Sequence, residues 1–559
     1  MKWHGISSAL IALALAACGG GGGDSTTPSS GTTPPPAPPP PGASVSEPDA
    51  LRLLEQSSFG PTDASLAAVK QLGIAGFVED QFAQPATGYQ GFAFLDANSN
   101  VGCPTGSASN CFRDNYTPFY LQQRFFQNTI NGKDQLRQRV AFALSQILVI
   151  SGRDIGQPYA MAAYQNILLN QAFGNFRDIL YEVTLSPAMG DYLDMVNNDK
   201  PNPARGTEPN ENYGREVMQL FSIGVWKLNP DGSQQLDGKG KPIPSYDQDV
   251  VEGFAHAFTG WTYPPRPGVN GKWTNPRNYE GRMVAFADHH DVAAKTLLDG
   301  RQLPAGQGAE KDLSDAIDSL FNHPNVGPFI GRQLIQQLVT SNPSPAYVSR
   351  VSAAFNNNGQ GVRGDMKAVL RAILLDSEAR GDRHDEVSYG KLREPALFAV
   401  NLLRSVGGSS DGVYLRAQSA TMAQDVYSPP SVFNYYPPDY PLPESSLQAP
   451  PFGIYDATTA FARANFVNAV LAQNGIAADA SVPGAVGTRI DWAPWLALGG
   501  DSNKLLDRIN LLLFHGALRD DVRAGIKQGV DSVAATDSYG RARAALYLAL
   551  TSPQFLVQR

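Results

Sequence analysis

A chain of 559 residues, 42% apolar and 17% charged, is long enough for one large domain or a few ordinary ones and can bury a sizeable core. Its formal net charge of -8 and pI near 5.5 argue against nucleic acid, because phosphate backbones are bound by clustered Lys and Arg.

The first residues carry an export signal. Lys2 gives a positive start, Ile6 to Ala14 form a short apolar run, and Leu15-Ala16-Ala17-Cys18 closes it. The run is too short for a permanent membrane span, so residues 1–17 are expected to be a cleaved signal peptide. Leu-Ala-Ala-Cys resembles the bacterial lipobox, in which the Cys is acylated and becomes the mature N-terminus. Cys18 is therefore the expected lipidation site and membrane anchor, and several acyl chains hold more firmly than one. By resemblance to bacterial sorting rules, Gly19 in place of Asp favours the outer membrane.

Gly19 to Ser46 reads as a disordered linker, Gly-rich and then a proline run from Pro34 to Pro41, able to hold the body away from a lipid surface. Of the three cysteines, Cys103 and Cys111 remain, close together in a Gly/Ser/Asn-rich segment. In an oxidising compartment they are expected to form a small-loop disulfide, and two thiols make no zinc framework.

From residue 47 onward the signals are helical, and strand-like alternation is scarce. Apolar residues at helical spacing predict helices at Asp49 to Gln56, Asp63 to Leu72 and Gly76 to Phe82, with Thr62 or Asp63 capping the second and Gly73 stopping it. Longer ones follow at Pro118 to Ile130, Lys133 to Ile150, Tyr159 to Ala172 and Asn175 to Leu185. After an Asn/Pro-rich loop, Asn210 to Gly224 forms an amphipathic helix. At 100° per residue, Glu211, Asn212, Arg215, Glu216 and Gln219 share one arc and Tyr213, Val217, Leu220 and Phe221 the other. Glu211 and Arg215 are an i, i+4 ion pair.

Residues 226–245 read as a small Gly/Pro/Asp-rich insertion. Ser245 and Gln248 resemble a capping box for a helix running to Phe258, with Asp249, Glu252 and His256 in one polar stripe. The insertion at 262–290 is rich in aromatics, which serve either as contact platforms or as the loop's own small core. It ends in Asp288-His289-His290 followed by Asp291, the densest cluster of ligand-type side chains in the sequence. His290 with Asp291 is the pair to test as metal ligands, against the bland alternative of a hydrogen-bonded turn.

Helices resume at Leu313 to Phe321, Val326 to Thr340, Ala346 to Asn356, Met366 to Leu375 and Tyr389 to Val406. Asp425 to Tyr455 is a Pro/Tyr-rich loop too long for a mere connector, and is expected to act as a lid or wrap the body. Ala457 to Ala472, Lys504 to Leu513, Asp520 to Gly529 and Gly540 to Leu550 complete a mainly α fold. It reads as a single large helical domain over 47–559, with long Pro/aromatic-rich loops and at most a small β-hairpin. His515, beside Leu512, Leu513 and Phe514, reads as a core histidine.

Several stretches together resemble the bacterial family catalogued as domain of unknown function 1800. They are Arg52 to Pro61, Asn210 to Gly224, Tyr246 to Trp261 ending Phe-Thr-Gly-Trp, His290-Asp291 with Lys295, Arg393-Glu394-Pro395, Ser428 to Pro438 and Ser552 to Phe555. The resemblance implies a large, exported, mostly helical protein, often encoded beside a secreted protein similar to sulfatases and alkaline phosphatases, which is a partner to consider. The family pattern has Ala-Arg-Ala before Phe-Thr-Gly-Trp where this chain has Ala255-His256-Ala257, which argues against His256 as an essential ligand or base.

Two functional readings follow. In the first, the protein is a lipid-anchored envelope protein that binds a partner protein or a glycan. In the second it is an envelope hydrolase in which Glu211, Arg215, Glu216, Asp249 and the His290-Asp291 pair converge, with or without a metal. No nucleophile elbow, phosphate loop or haem-attachment motif supports the second, and no cofactor is indicated.

Overall fold

Every residue of the helix Pro395–Ser405 is buried. Most of its residues are apolar, Asn401 and Arg404 are hydrogen-bonded inside the protein, and it packs against Phe119–Asn131 and Val413–Thr421. A computed structural model describes residues 45–559; the signal peptide, Cys18 and the linker up to residue 44 lie outside the described residues. Helices hold 50% of the described residues and strands only 6%, so the fold is mainly α. The strands form small antiparallel two-strand ribbons. Among the described residues no helix is long and apolar enough to cross a membrane.

Local chemistry accounts for the element ends. Ser46 caps Glu47–Ser57, and Thr62 and Ser65 form a reciprocal capping box at the start of Asp63–Ala83. That run bends at Gly73, whose φ of 77° breaks it into the two predicted helices. The cap of Gln248–Ala257 differs from expectation. Asp247, not Ser245, accepts from the Val250 N–H, because Ser245 is buried and takes a hydrogen bond from Asn325. Cys103 and Cys111 are joined as a disulfide between two short helices.

The C-terminus returns to the centre. Val557–Gln558 pairs antiparallel with Lys391–Leu392, the strand that leads directly into Glu394 and the buried helix. The segment 425–455 wraps the body, and buried side-chain amides and backbone groups pin it. Gln122 donates to the Val426 carbonyl, Ser151 to that of Pro429 and Gln336 to that of Pro438. Gly152 is needed for this approach, since a Cβ there would lie 2.4 Å from Pro118 and 2.9 Å from Ser428.

Candidate binding cleft and the charges beneath it

The helix predicted at Asn210 to Gly224 is the shorter Asn212–Gln219, with Glu211 at its N-cap. Arg215 Nη2 lies 2.6 Å from Glu211 Oε2, as the i, i+4 spacing predicts. Gln248 Nε2 donates to both Glu211 oxygens at 2.9 and 3.0 Å, clasping this helix to Gln248–Ala257. Asp249 is exposed in the first turn of that second helix, where its charge suits the helix N-terminus. Glu216 behaves differently from its polar arc. It is buried, its Oε2 has no hydrogen-bond partner, and burial pushes its carboxyl above the ordinary range against the weaker pull of Arg215.

His290 and Asp291 belong to separate pairs. His290 is 1% exposed. Its Nε2 lies 3.0 Å from Asp312 Oδ2 and its Nδ1 3.0 Å from the Thr259 carbonyl oxygen, so both ring nitrogens are engaged within the protein. Lys295 Nζ lies 2.6 Å from the same Asp312 oxygen and also donates to the Asp291 and Ala293 carbonyls. Burial alone would raise the Asp312 carboxyl, but the donors His290, Lys295 and Gln307 hold it below the usual range. Asp291 instead faces His256, Oδ2 to Nδ1 at 2.5 Å.

Glu211 meets the first residue of Gln248–Ala257, and His290 meets Thr259 beyond its last. Ten residues of α-helix span roughly 15 Å, so the two clusters do not share one centre. Among the described residues no group of three or more His, Cys, Asp or Glu side chains is placed to share a metal ion. The aromatics of 262–290 mostly point inward. Trp261, Tyr263 and Tyr279 are buried, and Trp273 stacks on His289 at 4.0 Å.

The cleft with the richest chemistry lies elsewhere, under the 425–455 strap. Its walls carry the amides Gln146, Gln333, Gln336, Gln337 and Asn434, the rings Phe329, Phe433 and Tyr436, and prolines of the strap, with Lys391 at its base. Beneath it, Lys391 Nζ and Arg139 Nη2 both donate to the Gln337 carbonyl oxygen. Arg139 Nη1 lies 3.8 Å from Glu394 Oε1, both side chains fully buried. The other Glu394 oxygen accepts from Tyr436 at 2.7 Å and Gln424 at 2.8 Å. Burial drives the Lys391 ammonium down to about 7, and Glu394 opposes this only in part. Tyr427 and Asn434 in the strap hold φ values of 63° and 65°. Such backbone is unfavourable for a bulky residue and persists only where its surroundings enforce it.

A second buried array backs the first. Arg393 Nη2 meets Glu55 Oε2 at 2.9 Å, Asn401 donates to both Glu55 oxygens, and His515 Nε2 lies 3.4 Å from Oε1. Burial opposes ionisation of Glu55, but Arg393, His515 and Asn401 together hold it down at about 2. Arg393 also donates to the Phe555 carbonyl. Adjacent residues 393 and 394 thus tie the N-terminal helix, the C-terminal segment and the strap into one core.

Lys391, Glu394 and Tyr436 lie in or beside the motifs Arg393-Glu394-Pro395 and Ser428 to Pro438, yet Arg139 had no local signal, since a charge in an amphipathic helix reads as surface. Fold and cleft define a large helical protein with a strap-covered, amide-lined groove over buried charge. The chain belongs to the family described as Protein of unknown function (DUF1800), which matches residues 52–557. No curated protein and no solved structure matches it.

Proposed function

We propose that this is a lipid-anchored envelope protein that holds a neutral segment of an envelope polysaccharide in the cleft beneath the strap. The observation that carries the reading is the cleft wall, a set of side-chain amides interleaved with Phe329, Phe433 and Tyr436. Gln146 donates to Gln337, Asn434 to Gln146 and Gln336 to the strap, so these amides are partly engaged within the wall, and aromatic rings take the apolar faces of sugars. Gln333 Nε2 is buried without a partner, a donor left for a ligand. Lys391, held near neutrality by burial, does not demand an anion. The cleft holds about 70 Å³, well under the roughly 300 Å³ of a small-molecule pocket, so a sugar ring enters it only as the strap gives way.

The anchor rests on Leu15-Ala16-Ala17-Cys18 and the Gly/Pro linker that follows. Hydrogen exchange of the protein with and without soluble envelope polysaccharide fragments tests the reading. Protection is expected in 329–337 and 428–438; protection confined to 288–291, or none, removes it.

A second reading, an envelope hydrolase, draws on one observation. Asp291 faces His256 at 2.5 Å while the ring keeps 27% exposure, an arrangement suited to a general base particular to this chain, since the family pattern has Arg at that position. Release of reducing ends from the same polysaccharides, lost in His256→Asn with binding retained, is its signature. The absence of any turnover would remove it.

A further inference from the structure

A second cavity, of about 300 Å³, shares no lining residue with the cleft. One wall is the helix Ala457–Val470, where Ala457, Ala460 and Ala464 leave room along one face. Phe398, Tyr455, Val467, Leu550 and Leu556 supply apolar walls, and no carboxylate lines the space. Phe461, also lining it, is 72% exposed.

Within this apolar setting sits a single cation, Arg463, 2% exposed. Its Nη1 donates to the Arg393 carbonyl at 2.8 Å. Its guanidinium lies 5.1 Å from the Phe398 ring centre and 5.3 Å from that of Tyr455. Nε and Nη2 are buried with no hydrogen-bond partner. These two atoms form the side-on edge of a guanidinium, whose parallel N–H groups match the two oxygens of a carboxylate. Burial lowers the group to about 10, which leaves it charged at neutral pH. Glu394, a carboxylate whose charge reaches Arg463, is already held by Tyr436 and Gln424. Arg463 thus lines an apolar cavity with a buried charge and two donors that no protein group satisfies.

We propose that this cavity binds a monocarboxylate with an apolar tail, a medium-chain fatty acid, with its headgroup on the Nε and Nη2 edge of Arg463. At the ~30 Å³ that a water occupies in the liquid, the volume of about 300 Å³ holds about ten non-hydrogen atoms, the size of octanoate. The site is independent of the polysaccharide cleft.

Calorimetric titration of octanoate and 1-octanol into the full chain, carried as the Cys18→Ser variant and purified without detergent, tests this. Octanoate is expected to bind one to one and octanol at least tenfold more weakly. Arg463→Met should lower octanoate affinity at least tenfold and leave octanol unchanged. Ala460→Phe, which keeps the guanidinium and fills the space, should abolish binding of both, and it decides the matter should Arg463→Met fail to fold. No saturable octanoate binding, equal affinity for acid and alcohol, or undiminished binding by Ala460→Phe would each overturn the proposal.

Discussion

Lys391 Nζ and Arg139 Nη2 donate to one acceptor, the carbonyl oxygen of Gln337, at 2.6 and 2.8 Å. Two buried cations on one neutral oxygen leave the ammonium poorly compensated, and the amine yields first because a guanidinium holds its proton more tightly. The folded protein therefore protonates Lys391 only below about 7, while the unfolded chain takes up that proton below its ordinary 10.5. Between these values the unfolded state binds more protons, so stability rises with pH through the window and levels off above it. The penalty present below pH 7 is on the order of 5 kcal/mol. Urea midpoints at pH 7, 8.5 and 10 should rise in wild type relative to Lys391→Met, which lacks this component and is at least as stable at pH 7. Parallel profiles would contradict the assignment.

Glu55 has the opposite sign. With its folded value at about 2 and an ordinary value of 4.5, its contribution is complete above pH 4.5 and fades as pH falls toward 2. Glu55→Gln strands Arg393 in the core, which costs about 3 to 5 kcal/mol at pH 7. Chemical unfolding should show that loss at pH 7 and much less of it near pH 2.5. A change below 1 kcal/mol at pH 7 would mean that Arg393 finds another partner.

The helices were legible in the sequence because apolar spacing records which face is buried, and Gly73 marked its bend. The Glu211–Arg215 pair was legible for the same reason, being local. Lys391 and Glu394 were not, because what makes them unusual is burial against Arg139, Gln337 and Tyr436, brought in from distant segments. Glu216 shows the same limit: its helical arc is polar, but packing near Tyr192 and Tyr246 closes over it. Conversely, the dense Asp288 to Asp291 cluster owes its appearance to sequence proximity, and the fold sends its members to different partners.

His290 anchors a turn against Asp312 and Lys295, so His290→Asn should lower the unfolding midpoint, costing about 2 to 4 kcal/mol through the buried ion pair it disturbs. Polysaccharide binding at temperatures where the variant is folded should be unchanged. Loss of binding in the folded variant would return function to this cluster.

The Cys103–Cys111 bridge closes a short loop, with a sequence separation of 8, on an exposed segment. Loop-closure entropy gives it about 2.5 kcal/mol, felt mostly by residues 99–116. Reduction should open this segment to proteolysis first, read by mass spectrometry of early fragments, with little change in the global melting temperature. A matching drop in the global transition would show that the loop supports the core.

The most direct test of the cleft assignment is affinity electrophoresis of the protein through gels containing bacterial envelope polysaccharide. Phe433, 53% exposed at the mouth, and Gln333 are the side chains to remove together. Wild type should be retarded in proportion to polysaccharide concentration, and Phe433→Ala with Gln333→Ala should migrate as in a plain gel while melting like wild type. Equal retardation of the two proteins would contradict the assignment of function to this cleft.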